Sequence, residues 1–126
     1  MKSKYYNVKK RSSDGILHDS TKEASRWEKL RLLQKAGKII DLQRQVRYEL
    51  IPAQYETYER YSKKGQRLKD GVKLIERKCE YVADFVYTDA VTGERIVEDT
   101  KGVKTKDYII KRKLMYAVHG IKIKEV

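Results

Sequence analysis

Alternation of hydrophobic and polar residues predicts the strands of this protein. From Ile39 to Ile51 apolar and polar side chains alternate with a period of two, which is typical of a half-buried strand, and Pro52 ends the pattern. Gly93 lies in a short loop that is suited to a hairpin between two further strands. The strands predicted in this way cover residues 39–51, 72–88 (as one long strand or two short ones), 95–103 and 121–126.

Two other segments show the helical period. Ser20 and Glu23 have the spacing of a Ser-x-x-Glu capping box, and the helix that they begin is expected to end at Ala36. Residues 106–118 carry apolar side chains at helical spacing and are followed by Gly120. The order helix, strand, hairpin, helix, strand predicts a mixed α/β (α+β) domain, in which helices flank a central sheet.

The length of 126 residues favours a single folded domain. We predict a basic N-terminal arm over residues 1–14 and one domain over residues 15–126. The first eleven residues contain five Lys or Arg and no Asp or Glu, which is typical of a mobile basic arm. An ordinary solubilising terminus explains the same composition.

Charge and composition limit the classes of function. Lys and Arg number 30 against 18 Asp and Glu, and the net charge of +12 favours a polyanionic partner, most often nucleic acid. No apolar run reaches the roughly 18 residues of a membrane span, and a single cysteine, Cys79, excludes an intrachain disulfide and a Cys-built zinc site. The chain also lacks a glycine-rich phosphate loop. We therefore expect an intracellular, cytoplasmic protein that binds nucleic acid and no membrane.

Acidic residues in the predicted hairpin suggest a metal site. Strand alternation places Asp84 on one face with Val82 and Val86, opposite the aromatic residues of the same strand, and it places Asp99 beside Lys101 on the next strand. Two carboxylates that converge repel each other unless a cation lies between them, and Mg²⁺ prefers such hard oxygen ligands. A structural salt bridge on a solvated sheet face is the alternative interpretation.

Glu23 is a third acid with two possible uses. It falls on the apolar stripe of the first predicted helix, between Trp27 and Leu30, so its carboxylate is expected to point toward the sheet. The capping box would instead use this carboxylate on backbone N–H groups at the start of the helix.

These residues resemble the motif of the PD-(D/E)xK nuclease superfamily. Asp84 is followed by Asp99-Thr100-Lys101, with Glu23 on a preceding helix, although Ala83 stands where the motif name has proline. From about Lys4 to the C-terminus, the chain is more closely similar to a small family of phage and prophage proteins that are predicted to be endonucleases of this superfamily. Archaeal-type Holliday junction resolvases, and the endonuclease subunit of some transposition systems, are similar in motif order. The resemblance also rests on Asn7 and the basic residues after it, Gln45, Tyr48, and residues 81–87 and 97–102.

The resemblance implies a restriction-endonuclease-like core, with a sheet of about four strands between two helices, and Mg²⁺-dependent hydrolysis of DNA phosphodiester bonds, with Mn²⁺ as a substitute. Carried over to this chain, Glu23, Asp84 and Asp99 match the metal ligands, together with the backbone carbonyl of Thr100. Lys101 matches the motif lysine, so Glu23, Asp84, Asp99 and Lys101 are the predicted catalytic residues. Gln45 matches a polar strand position whose role is unassigned.

Basic and aromatic residues supply candidate DNA contacts. Tyr55, Tyr58 and Tyr61 recur every third residue and predict a short helical turn, whose rings either pack against the sheet or stack on bases. The predicted phosphate contacts are Lys63, Lys64, Arg67, Lys104, Lys106 and Lys111.

We therefore expect a phage-type DNA endonuclease that acts on branched DNA in recombination or replication, in the cytoplasm of the bacterial host. A homodimer is expected by analogy, because resolving a four-way junction requires two symmetric cuts. A non-catalytic nucleic-acid-binding module with a nuclease-like fold is the alternative, and a basic scaffold protein of the virion is a third possibility.

Overall fold

Eight strands and two helices form in residues 8–126, the part of the chain that the computed structural model describes. Both predicted helices and the strand over residues 39–51 are confirmed. The elements are β1 (Lys10–Arg11), β2 (Leu17–His18), α1 (Thr21–Lys35), β3 (Ile39–Ile51), β4 (Gln54–Tyr61), β5 (Arg67–Glu76), β6 (Cys79–Asp89), β7 (Arg95–Asp99), α2 (Lys106–His119) and β8 (Lys124–Glu125).

A four-stranded mixed sheet forms the centre of the fold, in the order β3-β6-β7-β8. The first three strands are antiparallel, and the short β8 runs parallel to β7. The prediction of a mixed α+β fold with a four-stranded sheet and two helices is therefore confirmed. The predicted strand over residues 72–88 is divided between two sheets, since β5 pairs with β4 and only β6 belongs to the central sheet.

The two helices cover opposite faces of this sheet. Trp27 of α1 stacks on Phe85, with ring centroids 5.8 Å apart, and Leu30 belongs to the same core. On the other face, Met115 of α2 belongs to the core that contains Val86. Because neighbouring residues on a strand point to opposite faces, Phe85 and Val86 can each bury their side chain under a different helix.

Side-chain caps fix the start of both helices. The Ser20 hydroxyl accepts a hydrogen bond from the Glu23 N–H at 3.1 Å, and the Thr105 hydroxyl accepts one from the Tyr108 N–H at 3.2 Å. The C-cap of α2 is Gly120, in the left-handed conformation that glycine tolerates best. These caps place Glu23 in the first turn of α1, directly above the end of the sheet that carries the acids.

The strands β4 and β5 form a separate two-stranded hairpin. The helical turn predicted from Tyr55, Tyr58 and Tyr61 is wrong, because these residues lie in β4 and their rings are exposed instead of packed against the sheet. Tyrosine and threonine favour strands, and the three-residue spacing is a weaker signal than pairing with β5.

Part of the predicted N-terminal arm is also paired. Lys10 and Arg11 form an antiparallel ladder with Leu17 and His18, and Ser12 is buried. Residues 1–7 of the arm, including Asn7, lie outside the described residues. No helix between residues 8 and 126 has the length and apolar character needed to cross a membrane.

Candidate active site

The register of β6 and β7 brings Asp84 and Asp99 to adjacent positions. Phe85 pairs with Glu98 at the end of the ladder, and Asp84 and Asp99 are the residues next to this pair on the two strands. One Asp84 oxygen, Oδ2, accepts hydrogen bonds from the N–H and the hydroxyl of Thr100, both at 2.8 Å. These bonds hold the Asp84 carboxylate at the end of β7.

Asp99 is the most deeply buried acid of this group, with 1% of its surface exposed. Its Oδ2 accepts a hydrogen bond of 2.5 Å from the Tyr81 hydroxyl, whereas its Oδ1 is buried without a hydrogen-bond partner. Burial, and then the negative charge of Asp84, raise the pKa of Asp99 to about 6. An unpaired carboxylate oxygen in this setting is costly unless a cation or a proton occupies it.

Lys101 provides the cation nearest to that oxygen. Its Nζ lies 4.0 Å from Asp99 Oδ1 and 5.4 Å from the centre of the Tyr108 ring. The Lys101 side chain is 41% exposed, so its ammonium lies between the buried acid and solvent. The distance from Lys101 Nζ to Asp99 Oδ1 is too long for a hydrogen bond, so this oxygen is open to another ligand.

The alternation of β6 breaks at Asp84, contrary to the strict period of two that the sequence predicts. Ala83 and Val86 both belong to the core under α2, whereas Phe85 belongs to the core under α1. The partner strand is irregular at the same level, because Gln45 has a φ of 54° between two regularly paired residues. Asp84 therefore lies at a switch of faces and not on a plain strand face with Val82 and Val86.

Glu23 points inward, as the phase of α1 predicts, and is 4% exposed. Its Oε1 accepts a hydrogen bond of 3.2 Å from Gln45 Nε2 and lies 3.6 Å from His18 Nδ1. Burial and the neighbouring Asp84 raise the pKa of Glu23 to about 7. The carboxylate faces Gln45 and His18, and it also accepts a backbone hydrogen bond from Asp19, next to the Ser20 cap.

A cavity of about 220 Å³, here called the acid pocket, opens between the start of α1, Asp84 and residues 100–105. Glu23, Asp84 and Lys101 all line it, whereas Asp99 is buried behind its wall. Within residues 8–126, no set of three or more His, Cys, Asp or Glu side chains is placed to hold a metal ion. Glu23 therefore does not complete a set of three ligands with Asp84 and Asp99 in this arrangement.

The predicted phosphate contacts are exposed or half-buried, and none of them lines the acid pocket. Lys104 Nζ lies 3.4 Å from a Glu125 oxygen, while Lys106 begins α2 and Lys111 lies in its middle. The other three, Lys63, Lys64 and Arg67, belong to the β4–β5 hairpin or its turn.

The chain matches a known family model over almost its whole length. The family model described as "Protein of unknown function (DUF1064)" matches residues 2–125. The chain belongs to the DUF1064 family. Curated proteins and solved structures give no match to this chain. Because the DUF1064 family has no described function, the function of this protein is inferred from the residues of the acid pocket.

Two polar residues contact Glu23 in this DUF1064 protein, and the sequence predicts neither contact. His18 is buried, its Nε2 lies 3.1 Å from the Ser12 hydroxyl, and its other ring nitrogen faces Glu23. Gln45 was singled out only as a polar strand position, and its positive φ directs its amide to Glu23. A histidine in a short polar segment gives no sequence signal of this kind, because its burial depends on the β1–β2 pair folding under α1.

Proposed function

We propose that this protein is a metal-dependent DNA endonuclease, with a restriction-endonuclease-like core, that hydrolyses phosphodiester bonds in branched DNA. The observation that carries the proposal is the buried, unpartnered Oδ1 of Asp99, next to Asp84 and 4.0 Å from the Lys101 ammonium. The resemblance to PD-(D/E)xK nucleases supports the same assignment.

The donor set fits a hard divalent cation. Asp84 and Asp99 offer carboxylate oxygens from neighbouring strands, and their mutual repulsion decreases when a cation lies between them. The Thr100 backbone carbonyl and Glu23 are the additional candidate ligands. Mg²⁺, or Mn²⁺ in its place, would activate water and neutralise charge on a phosphate.

The chain's own side chains have separate tasks in this proposal. The Lys101 ammonium stabilises the negative charge that develops on the phosphate, and it orients the attacking water. Thr100 fixes Asp84 through its N–H and hydroxyl, so that this carboxylate does not turn away from the pocket. Burial raises the pKa of Glu23 to about 7, so this side chain would supply an additional ligand oxygen once its proton is lost.

The basic surface would bring DNA to the pocket. The net charge of +12 attracts the phosphate backbone, and Lys104, Lys106 and Lys111 lie before or within α2, the helix that follows the pocket segment. We also propose that the protein is a homodimer, because resolving a four-way junction requires two symmetric cuts. The setting we propose is phage recombination or replication in the bacterial cytoplasm.

Cleavage of an end-labelled four-way junction, compared with a linear duplex of the same sequence, tests this function. We expect Mg²⁺- or Mn²⁺-dependent cuts, and at least a hundredfold lower rate for Asp99→Asn and for Lys101→Met. Glu94→Gln, in the exposed β6–β7 loop, is the matched acid control and should keep the wild-type rate. Absence of cleavage in every divalent metal, with junction binding intact, would sink the enzyme assignment.

That negative outcome would favour the second candidate, a nucleic-acid-binding module that has a nuclease-like fold without activity. The observation in its favour is that residues 8–126 contain no ready-made set of three metal-ligating side chains. Salt-sensitive binding does not separate the two candidates, because any protein of this charge shows it.

A further inference from the structure

The β4–β5 hairpin stands apart from the central sheet. Its two strands pair only with each other within the described residues, and all eight residues of β4 are exposed. In β5 only Gly71 is buried, because the Tyr58 ring lies over it and would overlap a Cβ at that position. A two-stranded hairpin without further packing is marginally stable in water, so an exposed one of this length suggests a partner.

The tip of the hairpin has a strong positive charge. Residues 60–69 contain five Lys or Arg and no Asp or Glu. Lys63 and Lys64 occupy the turn itself and are exposed. Just beyond this segment, Asp70 pairs with Arg67 at 2.7 Å, which leaves the cations of the turn available to phosphates.

Three exposed tyrosines follow the strand that leads to this tip. Tyr55, Tyr58 and Tyr61 are 62%, 51% and 56% exposed. Regular pairing from Tyr55 to Tyr58 places these two rings on opposite faces of the hairpin, and the register shifts between Tyr58 and Arg60, before Tyr61. The Tyr61 ring also contacts the Arg67 guanidinium, whose centre lies 5.7 Å from the ring centroid. Aromatic rings between cations are the features by which proteins hold single-stranded nucleic acid.

Charge decides which partner fits this surface. A second copy that met the hairpin tip to tip would bring two sets of five positive charges together, whereas a phosphate backbone is complementary to them. Tyrosine rings contribute to stacking only where bases are unpaired, as they are at a fork or a branch point.

We propose that the β4–β5 hairpin is a DNA-binding arm, which holds phosphates at Lys63 and Lys64 and stacks Tyr55, the most exposed of the three tyrosines, on unpaired bases. The inference deepens the proposed function, because it supplies the surface that would select branched DNA. It concerns binding alone, so it is tested in EDTA, where the proposed cleavage does not occur.

Fluorescence anisotropy of a labelled forked duplex, with a fully paired duplex for comparison, tests the tip. The double variant Lys63→Gln/Lys64→Gln should lower affinity for both DNAs and reduce the slope of log affinity against log salt by about 1.8. Lys35→Gln/Lys38→Gln, which removes two exposed lysines near the end of α1, is the matched control and should leave the slope within about 0.9 of wild type. An equal reduction in both double variants would overturn a specific role for the hairpin.

The tyrosines are tested by the difference between the two DNAs. Tyr55→Ser should weaken binding of the forked duplex at least about fivefold and leave the paired duplex unchanged, while Tyr55→Phe should restore binding. Equal affinities of wild type and Tyr55→Ser for the forked DNA would contradict stacking. Conversion of a sedimenting dimer to a monomer by Tyr55→Ser, with DNA binding unchanged, would instead assign the hairpin to a second copy of the chain. Failure of either test leaves the cleavage assay unaffected, so the two proposals fail separately.

Discussion

Burial and repulsion raise the pKa of two acids in and behind the acid pocket, Glu23 to about 7 and Asp99 to about 6. Both shifts have burial as their largest cause and the charge of Asp84 as the second. Burial of these carboxylates does not stabilise the fold, because each ionised carboxylate that is buried lowers the free energy of unfolding. A divalent cation bound between Asp84 and Asp99 would offset the cost of burying an ionised Asp99 next to Asp84. The raised pKa of Asp99 is therefore consistent with the proposed metal site.

The raised pKa of Glu23 predicts how stability depends on pH. The protonated form is favoured in the folded state, so its contribution is complete below about pH 4.5 and is lost as the pH rises through about 7. Each tenfold change in an ionisation constant corresponds to about 1.4 kcal/mol, so a shift from 4.5 to about 7 limits the loss to about 3–4 kcal/mol. Urea unfolding in EDTA should show Glu23→Gln gaining stability relative to wild type between these pH values and holding a constant advantage above them. Parallel curves for the two proteins would contradict the inward placement of an ionisable Glu23.

At the residue scale, the sequence predicts the acids better than the groups around them. The structure brings Asp84, Asp99 and Lys101 together, but β6 changes faces at Asp84, so the period of two alone does not account for this arrangement. The sequence does not predict which groups hydrogen-bond to the carboxylate oxygens of Asp84 and Asp99. The Tyr81 hydroxyl on Asp99, and the Thr100 hydroxyl on Asp84, depend on side-chain directions that alternation alone does not give.

At the scale of elements, β3 contains an irregularity at the level of Asp84. Gln45 adopts a φ of 54°, which side chains other than glycine, asparagine and aspartate rarely tolerate. Such strain is found where the surrounding structure requires it, and here it directs the Gln45 amide toward Glu23. The backbone of β3 therefore serves the pocket as well as the sheet.

Substitutions at Gln45 separate these two roles. Gln45→Val should lower the free energy of unfolding by about 1–3 kcal/mol, because a β-branched residue resists a positive φ. Gln45→Gly tolerates that conformation and should stay near wild type in stability, although it loses the hydrogen bond to Glu23. Urea unfolding of the three proteins measures the effect. Equal stabilities of the Val and Gly variants would show that position 45 is not held at a positive φ.

A buried ion pair connects α1 to β7. Arg26 makes two hydrogen bonds to Glu98, of 2.8 and 2.7 Å, and the Tyr87 hydroxyl donates to the same fully buried carboxylate. Arg26→Met leaves this charge without its main partner and should lower the free energy of unfolding by about 3 kcal/mol.

The double variant Arg26→Met/Glu98→Met removes both charges and should recover most of that loss. Arg31→Met, which removes a more exposed pair to Asp14 at 3.6 Å, is the control and should cost less than about 1 kcal/mol. A cost for Arg26→Met no larger than that of the control would contradict a structural role for the pair.

The elements themselves were predictable where one face is buried. The alternation of β3 and the caps of both helices agree with the structure to within a few residues. The β4–β5 hairpin was not predictable, because neither of its faces is buried and its polar residues show no clear period of two. The break in β6 was missed for a related reason, since strict alternation assumes that no strand changes faces.

On the scale of the whole molecule, a strongly basic protein contains a small group of buried and half-buried acids. The net charge of +12 predicts attraction to a polyanion, but it does not indicate what happens to that polyanion. Three acids have the sign opposite to the net charge and lie in or behind the acid pocket: Glu23, Asp84 and Asp99. The distribution of charge is therefore more informative than its sum.

Binding of Mn²⁺, followed by electron paramagnetic resonance of the free ion, tests most directly whether these acids hold a cation. Wild type should show saturable Mn²⁺ binding, and Asp84→Asn and Asp99→Asn should each weaken it at least about tenfold. Glu94→Gln should bind Mn²⁺ as wild type does. Equal Mn²⁺ binding by wild type and Asp99→Asn, or no saturable binding by wild type, would contradict a metal site at Asp84 and Asp99.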